Sequence, residues 1–263
     1  MSLSDRRKLP RAALVTGGAR RVGRAIALAL AEAGFAVAVH AHRSVGEATA
    51  LCREIEERGG RAAAVRADLA DDAAPRALIS AAVGAVGPLV LLVNNAGAFE
   101  RDEFGRLERA RWDRHFAVNL AAPVFLAEAF AAQVAESVPE PFDAAIVNLL
   151  DQRVLKLTPQ YFSYTLTKSA LHAATTTLAQ ALAPRIRVNA IAPGPTFKSP
   201  RQTDADFARQ AAAVPLGHGP CAQEIAAAAL YLATAASVTG QTIAVDGGQH
   251  LAWQTPDVRG IVE

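Results

Sequence analysis

The sequence predicts an α/β fold, a doubly wound domain in which a central parallel sheet is flanked by helices. Short apolar runs alternate with helical stretches through most of the 263 residues, which is typical of repeated β-α units and a parallel sheet. Residues 89–93 are apolar without interruption, as expected for a strand buried on both faces. No repeat or low-complexity linker divides the chain, so we predict a single domain over residues 1–263.

The first half of the chain alternates four predicted strands with three predicted helices. The first helix has Val22, Ile26 and Leu30 on one stripe, and Gly34 after it supplies a C-terminal stop. A pair of glycines ends the second helix in the same way. In chain order these elements are predicted at residues 12–16, 22–33, 35–40, 46–58, 62–66, 72–86 and 89–93.

The second half continues the alternation and contains two long predicted helices. Its elements are predicted at residues 109–135, 144–149, 161–183, 186–191, 224–233 and 242–245. Pro139 and Pro141 mark a loop inside the domain. Residues 193–214 break the alternation with proline, threonine and charged side chains, and we predict a loop with a short helix that covers the substrate site.

Composition and charge argue against several classes of function. The net charge of +2 gives no general case for binding nucleic acid or a membrane surface. Cys52 and Cys221 are too few for a disulfide framework or a metal site, and they suit a reducing compartment. No apolar run approaches the roughly 20 residues of a membrane span, and no secretory signal is recognisable. We therefore expect a cytoplasmic protein without a metal, with residues 1–11 as a basic, solvated tail.

A glycine-rich turn follows the first predicted strand and leads into the first predicted helix. From Thr16 to Gly23 the chain reads TGGARRVG. Glycine lets the backbone turn tightly and approach a pyrophosphate, which the N-terminus of a helix attracts. The position inside a β-α-β unit favours a dinucleotide site over a plain tight turn.

The end of the second predicted strand indicates which dinucleotide is bound. An NAD site usually has a carboxylate here for the ribose hydroxyls, but residues 40–44 read His-Ala-His-Arg-Ser. Arg43 and Ser44 instead suit a 2′-phosphate, so NADP is favoured over NAD; the alternative is a solvated arginine in a loop. Asp68, after the third strand, is suited to hydrogen-bond the adenine, to cap the next helix, or to do both.

Asp151, Tyr164 and Lys168 form the most informative pattern of the chain. Tyr164 and Lys168 stand four residues apart on a predicted helix, so their side chains share one face. An ammonium close to a phenol lowers the tyrosine pKa toward the working pH, which makes Tyr164 a candidate acid and base. Asp151 follows a predicted buried strand, thirteen residues before Tyr164; the alternative to a catalytic carboxylate there is a structural loop residue.

Together these features resemble the short-chain dehydrogenase/reductase family over residues 12–248. The resemblance is carried by residues 16–23, Asp68, Asn94-Asn95-Ala96-Gly97, Asn119, Tyr164-x-x-x-Lys168, Arg187-Val188-Asn189, Pro193-Gly194 and Val245-Asp246-Gly247-Gly248. It implies a Rossmann-like domain, hydride transfer to or from a nicotinamide, and a homotetramer. It also implies Tyr164 as the acid and base, Lys168 as the residue that holds the nicotinamide ribose, and Asn119 as the holder of a water in the proton relay.

The cofactor residues come from the glycine-rich turn and from the matched motifs. They are Gly17, Arg20, Arg21, Val22, Gly23, His42, Arg43, Ser44, Asp68, Leu69, Asn95, Ala96, Gly97, Tyr164, Lys168, Pro193 and Gly194. The long helices at residues 109–135 and 161–183 are the expected subunit contacts. Residues 251–263, which include Trp253, are expected to reach a neighbouring subunit.

Two residues depart from the usual pattern of that family. Arg21 stands where its phosphate turn usually has glycine, and Asp151 stands where a catalytic serine is usual. With residues 40–44, these departures resemble one branch, the pteridine and dihydropteridine reductases. That branch also places a phenylalanine after the Asn-Asn-Ala stretch to sandwich the pterin against the nicotinamide. Phe99 has that position, with an ordinary core residue as the alternative.

The predicted substrate residues are Arg21, Phe99, Asp151 and Tyr164. Arg21 is expected to face the pyrophosphate and the rim of the substrate pocket, and its alternative is a solvated arginine at the start of a helix. An anionic partner is favoured, because an arginine beside a helix N-terminus is otherwise in an unfavourable field.

An aspartate in the serine position changes the chemistry that the site can support. A serine hydroxyl donates to a carbonyl oxygen, whereas an ionised carboxylate cannot donate and repels a developing alkoxide. Reduction of a pterin C=N bond instead needs a proton at a ring nitrogen, which Asp151 paired with Tyr164 is able to relay. We therefore predict an NADPH-dependent reductase of a pterin or folate-like small molecule. The alternatives are a reductase of another substrate, such as a 3-oxoacyl thioester, a quinone or a sugar, and a non-catalytic NADP-binding protein.

Overall fold

The computed structural model describes residues 11–138, 144–199 and 201–253. Residues 1–10 of the predicted tail, the loop prolines Pro139 and Pro141, and residues 254–263 lie outside this part of the chain. The predicted tail is too long by one residue, because Arg11 is the first residue of a strand.

Seven strands form one parallel sheet within the described residues. They are β1 (Arg11–Val15), β2 (Phe35–Ala41), β3 (Arg61–Arg66), β4 (Leu89–Asn94), β5 (Ala144–Leu149), β6 (Ile186–Pro193) and β7 (Thr242–Val245). Their order is β3-β2-β1-β4-β5-β6-β7, and every neighbouring pair is parallel. The order reverses between β1 and β4, and open α/β sheets bind ligands at such a reversal. The predicted doubly wound parallel sheet is confirmed.

The described part of the chain has eight α-helices, and all except the seventh cover the two faces of this sheet. They are α1 (Arg21–Glu32), α2 (Val45–Glu57), α3 (Ala74–Val86), α4 (Arg109–Phe116), α5 (Ala122–Ser137), α6 (Phe162–Leu182), α7 (Asp204–Ala212) and α8 (Ala222–Thr234). Helices α1, α2 and α8 lie on one face, and α3 to α6 lie on the other. Helix α7 is the short helix predicted within residues 193–214.

The long helix predicted at residues 109–135 is confirmed as the helical segment Arg109–Ser137, and a π turn lies inside it. The turn spans Ala117–Ala121 between α4 and α5, and the N–H of Ala122 donates to the carbonyl of Ala117, five residues earlier. Pro123 follows directly. It has no N–H with which to resume the four-residue pattern, so the wider turn has a local cause.

A buried polar brace joins the centre of the sheet to α6. Asn94 on β4 donates from Nδ2 to Oδ1 of Asn148 on β5 at 2.9 Å. Asn148 donates in turn to the hydroxyl of Thr175 on α6 at 3.0 Å. All three side chains are buried, where a satisfied hydrogen bond avoids a desolvation cost of about 1–3 kcal/mol. The brace fixes α6, which carries Tyr164 and Lys168, against the sheet.

The helical segment Arg109–Ser137 is long and apolar enough to cross a membrane by length and composition alone. Asn119 and Glu128 interrupt its apolar run, so the sequence shows no uninterrupted apolar stretch of membrane-span length here. Half of its apolar window is buried inside the fold, where Leu126 and Phe130 are fully buried. This burial is typical of the core helix of a globular protein.

Candidate active site

Residues at the carboxyl ends of β4, β5 and β6 and after β1 line one cavity of 740 Å³. Ligand sites commonly have volumes of roughly 300–1,000 Å³. The predicted site residues that line it are Arg20, Arg21, Val22, Gly23, Asn95, Gly97, Phe99, Asp151, Tyr164, Lys168, Pro193 and Gly194. The predicted residues that do not line it are Gly17, His42, Arg43, Ser44, Asp68, Leu69, Ala96 and Asn119.

The glycine-rich turn after β1 is held by side chains from the two strands that flank β1, His40 on β2 and Asn95 directly after β4. Asn95 donates from Nδ2 to the carbonyls of Thr16 and Gly17 at 2.8 and 3.0 Å. His40 accepts the N–H of Gly17 at Nδ1 at 3.1 Å, and its Nε2 lies 3.2 Å from the carbonyl of Ala67. Burial lowers the pKa of His40, which suits a neutral ring with one accepting and one donating nitrogen. His40 was not a predicted site residue, although it ends the second predicted strand.

We expect Gly23→Ala to weaken NADPH binding at least tenfold, which is about 1.4 kcal/mol. A Cβ atom on Gly23 would lie 2.3 Å from the carbonyl oxygen of Gly17 and 2.5 Å from Nδ2 of Asn95, so the turn has to shift. Titration calorimetry with NADPH measures the loss. Gly84→Ala on α3 is the matched control, because a Cβ there meets nothing within 4 Å. An unchanged Kd in Gly23→Ala would contradict the argument.

Arg21 has the left-handed backbone conformation, with a φ of +54°. This region favours glycine, which explains why glycine is usual at this position. An arginine in the same conformation has a backbone strain of roughly 1–3 kcal/mol. Arg21 donates from Nη2 to the carbonyls of Phe197 and Lys198 at 3.3 and 3.2 Å, and its guanidinium carbon lies 5.1 Å from the centre of the Phe197 ring. Arg21 therefore ties the turn to the loop after β6, at the rim of the cavity.

The side chains predicted to select NADP lie at the ends of β2 and β3. Arg43 is exposed and Ser44 is half-buried. His42 Nε2 lies 3.5 Å from Oδ2 of Asp68. The alternative prediction that Asp68 caps the next helix is wrong, because α3 begins at Ala74, beyond the reach of a capping side chain.

Asp151 and Tyr164 are in hydrogen-bond contact between the end of β5 and helix α6. The Tyr164 hydroxyl donates to Oδ2 of Asp151 at 3.1 Å. Asp151 also accepts the backbone N–H of Arg153 at Oδ1 and its Nη1 group at Oδ2, each at 2.9 Å. Lys168 Nζ donates to the carbonyl of Leu149 at 2.6 Å and lies 5.9 Å from the centre of the Tyr164 ring. Asp151 thus accepts from three donors, and Tyr164 offers it a proton.

Burial dominates the titration of the tyrosine and the lysine. It raises the pKa of Tyr164 well above the usual value, and the charge of Asp151 adds to this shift. Burial also lowers the pKa of Lys168 to about 8, against an opposing effect of Asp151. The predicted lowering of the Tyr164 pKa by Lys168 is therefore wrong for this arrangement. The ammonium is bound to a backbone carbonyl, and the charge in contact with the phenol is a carboxylate.

Asn119 is fully buried in the π turn, and its amide group is used within the protein. Its Oδ1 accepts the N–H of Ala98 at 2.8 Å, and its Nδ2 donates to the carbonyl of Ala98 at 2.9 Å and to the Thr167 hydroxyl at 3.3 Å. Both amide hydrogens have protein partners, so the water-holding role stays a prediction for the second lone pair of Oδ1. The observed contacts fix the backbone directly before Phe99.

Phe99 forms one wall of the cavity with an aromatic residue that sequence reasoning missed. The rings of Phe99 and Tyr161 are parallel within 4°, with centres 4.5 Å apart, and Tyr164 meets Phe99 edge-on at 4.8 Å. The guanidinium carbons of Arg153 and Arg201 lie 5.1 to 5.9 Å from the centres of the Phe99 and Tyr161 rings. Phe99 is 38% exposed, so its alternative as an ordinary core residue is wrong.

Sequence signals existed for some of the missed residues. Arg153 stands two residues after Asp151, and Tyr161 stands three residues before Tyr164, within one helical turn. Tyr161 also has a φ of +56°, which no sequence pattern indicates for a tyrosine. Arg201 belongs to residues 193–214, for which a loop over the site was predicted without a role for any single residue beyond Pro193 and Gly194, so its position was not derivable from local sequence.

Comparison with known proteins identifies several relatives along nearly the whole chain. A sequence model described as "Enoyl-(Acyl carrier protein) reductase" matches residues 17–250. A 3-oxoacyl-[acyl-carrier-protein] reductase, FabG, of Staphylococcus aureus is 35% identical over 254 residues, which cover 93% of this chain and 100% of that protein.

Several solved structures are also similar to this chain over nearly its whole length. FolM alternative dihydrofolate reductase 1 from Brucella canis, complexed with NADP, is 52% identical with a TM-score of 0.91, covering 96% of this chain and 99% of that chain. The Brucella suis protein of the same name, also with NADP, is 53% identical with a TM-score of 0.89 over the same shares. A blue fluorescent protein from a metagenomic library, in complex with NADPH, is 32% identical with a TM-score of 0.82, covering 91% of this chain and 97% of that chain.

Proposed function

Since the chain belongs to the short-chain dehydrogenase/reductase family and is an NADP-dependent oxidoreductase, we propose that it reduces a C=N bond of a pterin or dihydropteridine, dihydrofolate included. The observation that carries this proposal is the hydrogen bond from the Tyr164 hydroxyl to Asp151. The relationship to two FolM alternative dihydrofolate reductases supports it.

The Asp151 contact suits a C=N bond better than a carbonyl group. Reduction of a carbonyl needs hydrogen-bond donors at the oxygen on which negative charge develops. Asp151 accepts three hydrogen bonds at the place where a serine would donate one. Reduction of a C=N bond adds a hydride to carbon and a proton to nitrogen, so one proton donor, the Tyr164 hydroxyl, serves the reaction without a second donor at position 151.

The residues at the nucleotide end fit NADP. A Cβ on Gly23 would collide with the turn, so this glycine permits the close backbone packing that a pyrophosphate site needs. Arg20 and Arg21 line the same end of the cavity and are proposed to face the phosphates. Arg43 and Ser44 are proposed to hold the 2′-phosphate, because a guanidinium pairs with phosphate. The bound cofactor supplies the hydride.

Each catalytic side chain has a proposed role that follows from its contacts. Tyr164 donates the proton to the ring nitrogen, since its raised pKa keeps the hydroxyl protonated at neutral pH. Asp151 directs that hydroxyl, and it passes a proton from solvent to Tyr164 to replace the one that Tyr164 donated. Lys168 is proposed to hold the nicotinamide ribose, and Asn119 fixes the backbone that carries Phe99. The Phe99 ring offers a flat surface on which a pterin stacks.

The similarity to FabG favours a second candidate, the reduction of a 3-oxoacyl thioester. This reaction needs hydrogen-bond donors at the substrate oxygen, and Asp151 accepts hydrogen bonds at the position from which a serine hydroxyl would donate one. A non-catalytic NADP-binding protein is the third alternative, and it would have no use for the contact between Tyr164 and Asp151.

The oxidation of NADPH followed at 340 nm tests these alternatives directly. The substrates are 7,8-dihydrobiopterin and dihydrofolate, with an acetoacetyl thioester as the control. We expect turnover with the pterins and none with the thioester. Turnover with the thioester alone would replace the proposed function by the second candidate, and NADPH binding without turnover of any substrate would favour the third.

The proposal includes a cytoplasmic homotetramer that acts on a small molecule and binds neither nucleic acid nor a membrane. The family resemblance carries the tetramer, with contacts expected on the long helix that contains α4 and α5 and on α6. Phe125 on α5 is 55% exposed and Leu166 on α6 is 39% exposed, so both helices present apolar side chains at the surface. Trp253 is 71% exposed, and the contact expected of residues 251–263 is part of the same proposal.

A further inference from the structure

Three arginines surround the aromatic wall of Phe99 and Tyr161: Arg101, Arg153 and Arg201, all of which line the cavity. The charge of Arg101 is compensated, because its Nε and Nη2 groups lie 3.0 and 2.5 Å from a carboxylate oxygen of Glu103. The other two lie beside both rings of the wall. Arg201 has no role in the reaction proposed above, and Arg153 enters it only through its hydrogen bonds to Asp151.

Arg201 and Arg153 both have hydrogen-bond donors to spare. Arg201 is exposed and donates one bond, from Nη2 to the carbonyl of Phe99 at 3.2 Å. It has no carboxylate partner among the described residues. Arg153 is paired through Nη1 with Asp151, but its Nε is buried and has no hydrogen-bond partner in the described part of the chain. A guanidinium has five N–H donors in a fixed fork, so the pair leaves several of them available at the cavity wall.

The donors of Arg153 and Arg201 lie beside the aromatic wall, with their guanidinium carbons 5.1 to 5.9 Å from the two ring centres. A planar ring that stacks on the exposed face of Phe99 brings its substituent to the edge of the wall, where both guanidinium groups lie. Carboxylates and phosphates are the groups that such forks bind, often through two parallel hydrogen bonds. A neutral hydroxyalkyl substituent offers no charge to either arginine.

We propose that Arg153 and Arg201 form an anion subsite that binds the negatively charged tail of a planar heterocyclic substrate. This inference rests on the proposed function and adds a substrate preference to it. The shared chemistry is an anion two or more bonds from the ring, either the glutamyl carboxylates of a dihydrofolate or a phosphate ester on the side chain of a dihydropterin.

Steady-state kinetics of Arg201→Gln with three substrates tests the subsite. The substrates are 7,8-dihydrofolate, with two carboxylates, 7,8-dihydroneopterin monophosphate, with a phosphate ester, and 7,8-dihydrobiopterin, with a neutral tail. We expect the ratio of kcat/KM for an anionic substrate to that for dihydrobiopterin to fall about tenfold, as for the loss of one charged hydrogen bond. The change is expected mainly in KM, and raised salt should reduce the same ratio in the wild type. Arg106→Gln is the matched control, because Arg106 is an exposed arginine of the loop between β4 and α4 that does not line the cavity.

The outcomes distinguish a carboxylate from a phosphate as the bound anion, and they distinguish a failure of the subsite from a failure of the proposed function. A fall confined to dihydrofolate assigns a carboxylate tail, and a fall confined to the phosphate ester assigns a phosphate. Unchanged ratios in Arg201→Gln, or an equal fall in Arg106→Gln, would overturn the subsite while dihydrobiopterin turnover still supports the proposed function. If the wild type turns over none of the three substrates, the proposed function and the subsite are both wrong.

Discussion

Tyr164→Phe is expected to remove nearly all NADPH-dependent reduction of dihydropterins while the fold and NADPH binding remain. The variant deletes one oxygen atom, which donates to Asp151 at 3.1 Å. The phenyl ring keeps its edge-on contact with Phe99, so packing at this buried position changes little. Loss of a positioned general acid costs about 10²–10⁴-fold in rate. We expect kcat and kcat/KM to fall together, because the proton is transferred only in the transition state.

Two measurements keep this prediction separate from a loss of structure. NADPH titration and thermal unfolding should give wild-type values for Tyr164→Phe, whereas its kcat does not. Tyr231→Phe makes the same chemical change on the surface of α8, where the side chain is 53% exposed, and should leave the kinetics unchanged. Wild-type turnover in Tyr164→Phe would exclude the tyrosine as the proton donor.

Most of the fold followed from the spacing of apolar residues, because a parallel sheet requires buried strands at regular intervals. The π turn inside the long helix was not predicted, although its cause is local. Pro123 lies within a sequence with good helical periodicity, and the π turn before it buries Asn119 rather than ending the helix. The prediction that Asp68 caps the next helix was wrong because of the length of the loop after it. Its carboxylate follows a strand, as a capping residue would, but the chain runs on to Ala74 before α3 starts.

The active-site pairing of Asp151 with Tyr164 was predictable, since the end of β5 and the start of α6 meet at the same edge of the sheet. The direction in which the pKa of Tyr164 shifts was not predictable. Its direction depends on desolvation by surrounding residues, which outweighs a charged neighbour when the group is fully buried. Arg201 shows a third limit: its contact with Phe99 joins two loops that are 102 residues apart in the chain, and no local pattern encodes such a contact.

Asp151→Ser is expected to lower kcat for pterin reduction by about 10²–10⁴-fold. Serine is too short to keep both the Tyr164 hydroxyl and the Nη1 group of Arg153 in contact, and its hydroxyl is a far weaker base than a carboxylate for taking up and releasing a proton. The same change restores the side chain that is usual at this position in the family. An acetoacetyl thioester assay on the variant is therefore the informative second measurement, because a new hydroxyl donor is what a carbonyl oxygen requires.

Asp151→Asn separates the charge of this residue from its shape. Asparagine has nearly the same size and its carbonyl oxygen still accepts from the backbone N–H of Arg153, but it cannot take up or release a proton. If the carboxylate relays the proton, Asp151→Asn loses as much kcat as Asp151→Ser. If it only directs the Tyr164 hydroxyl, the loss is smaller. Asp113→Asn is the control, an exposed carboxylate that also pairs with an arginine, Arg109, at 2.8 Å. Full pterin turnover in Asp151→Asn would show that this residue relays no proton, whereas thioester reduction gained in Asp151→Ser would show that the side chain at position 151 helps to set the substrate.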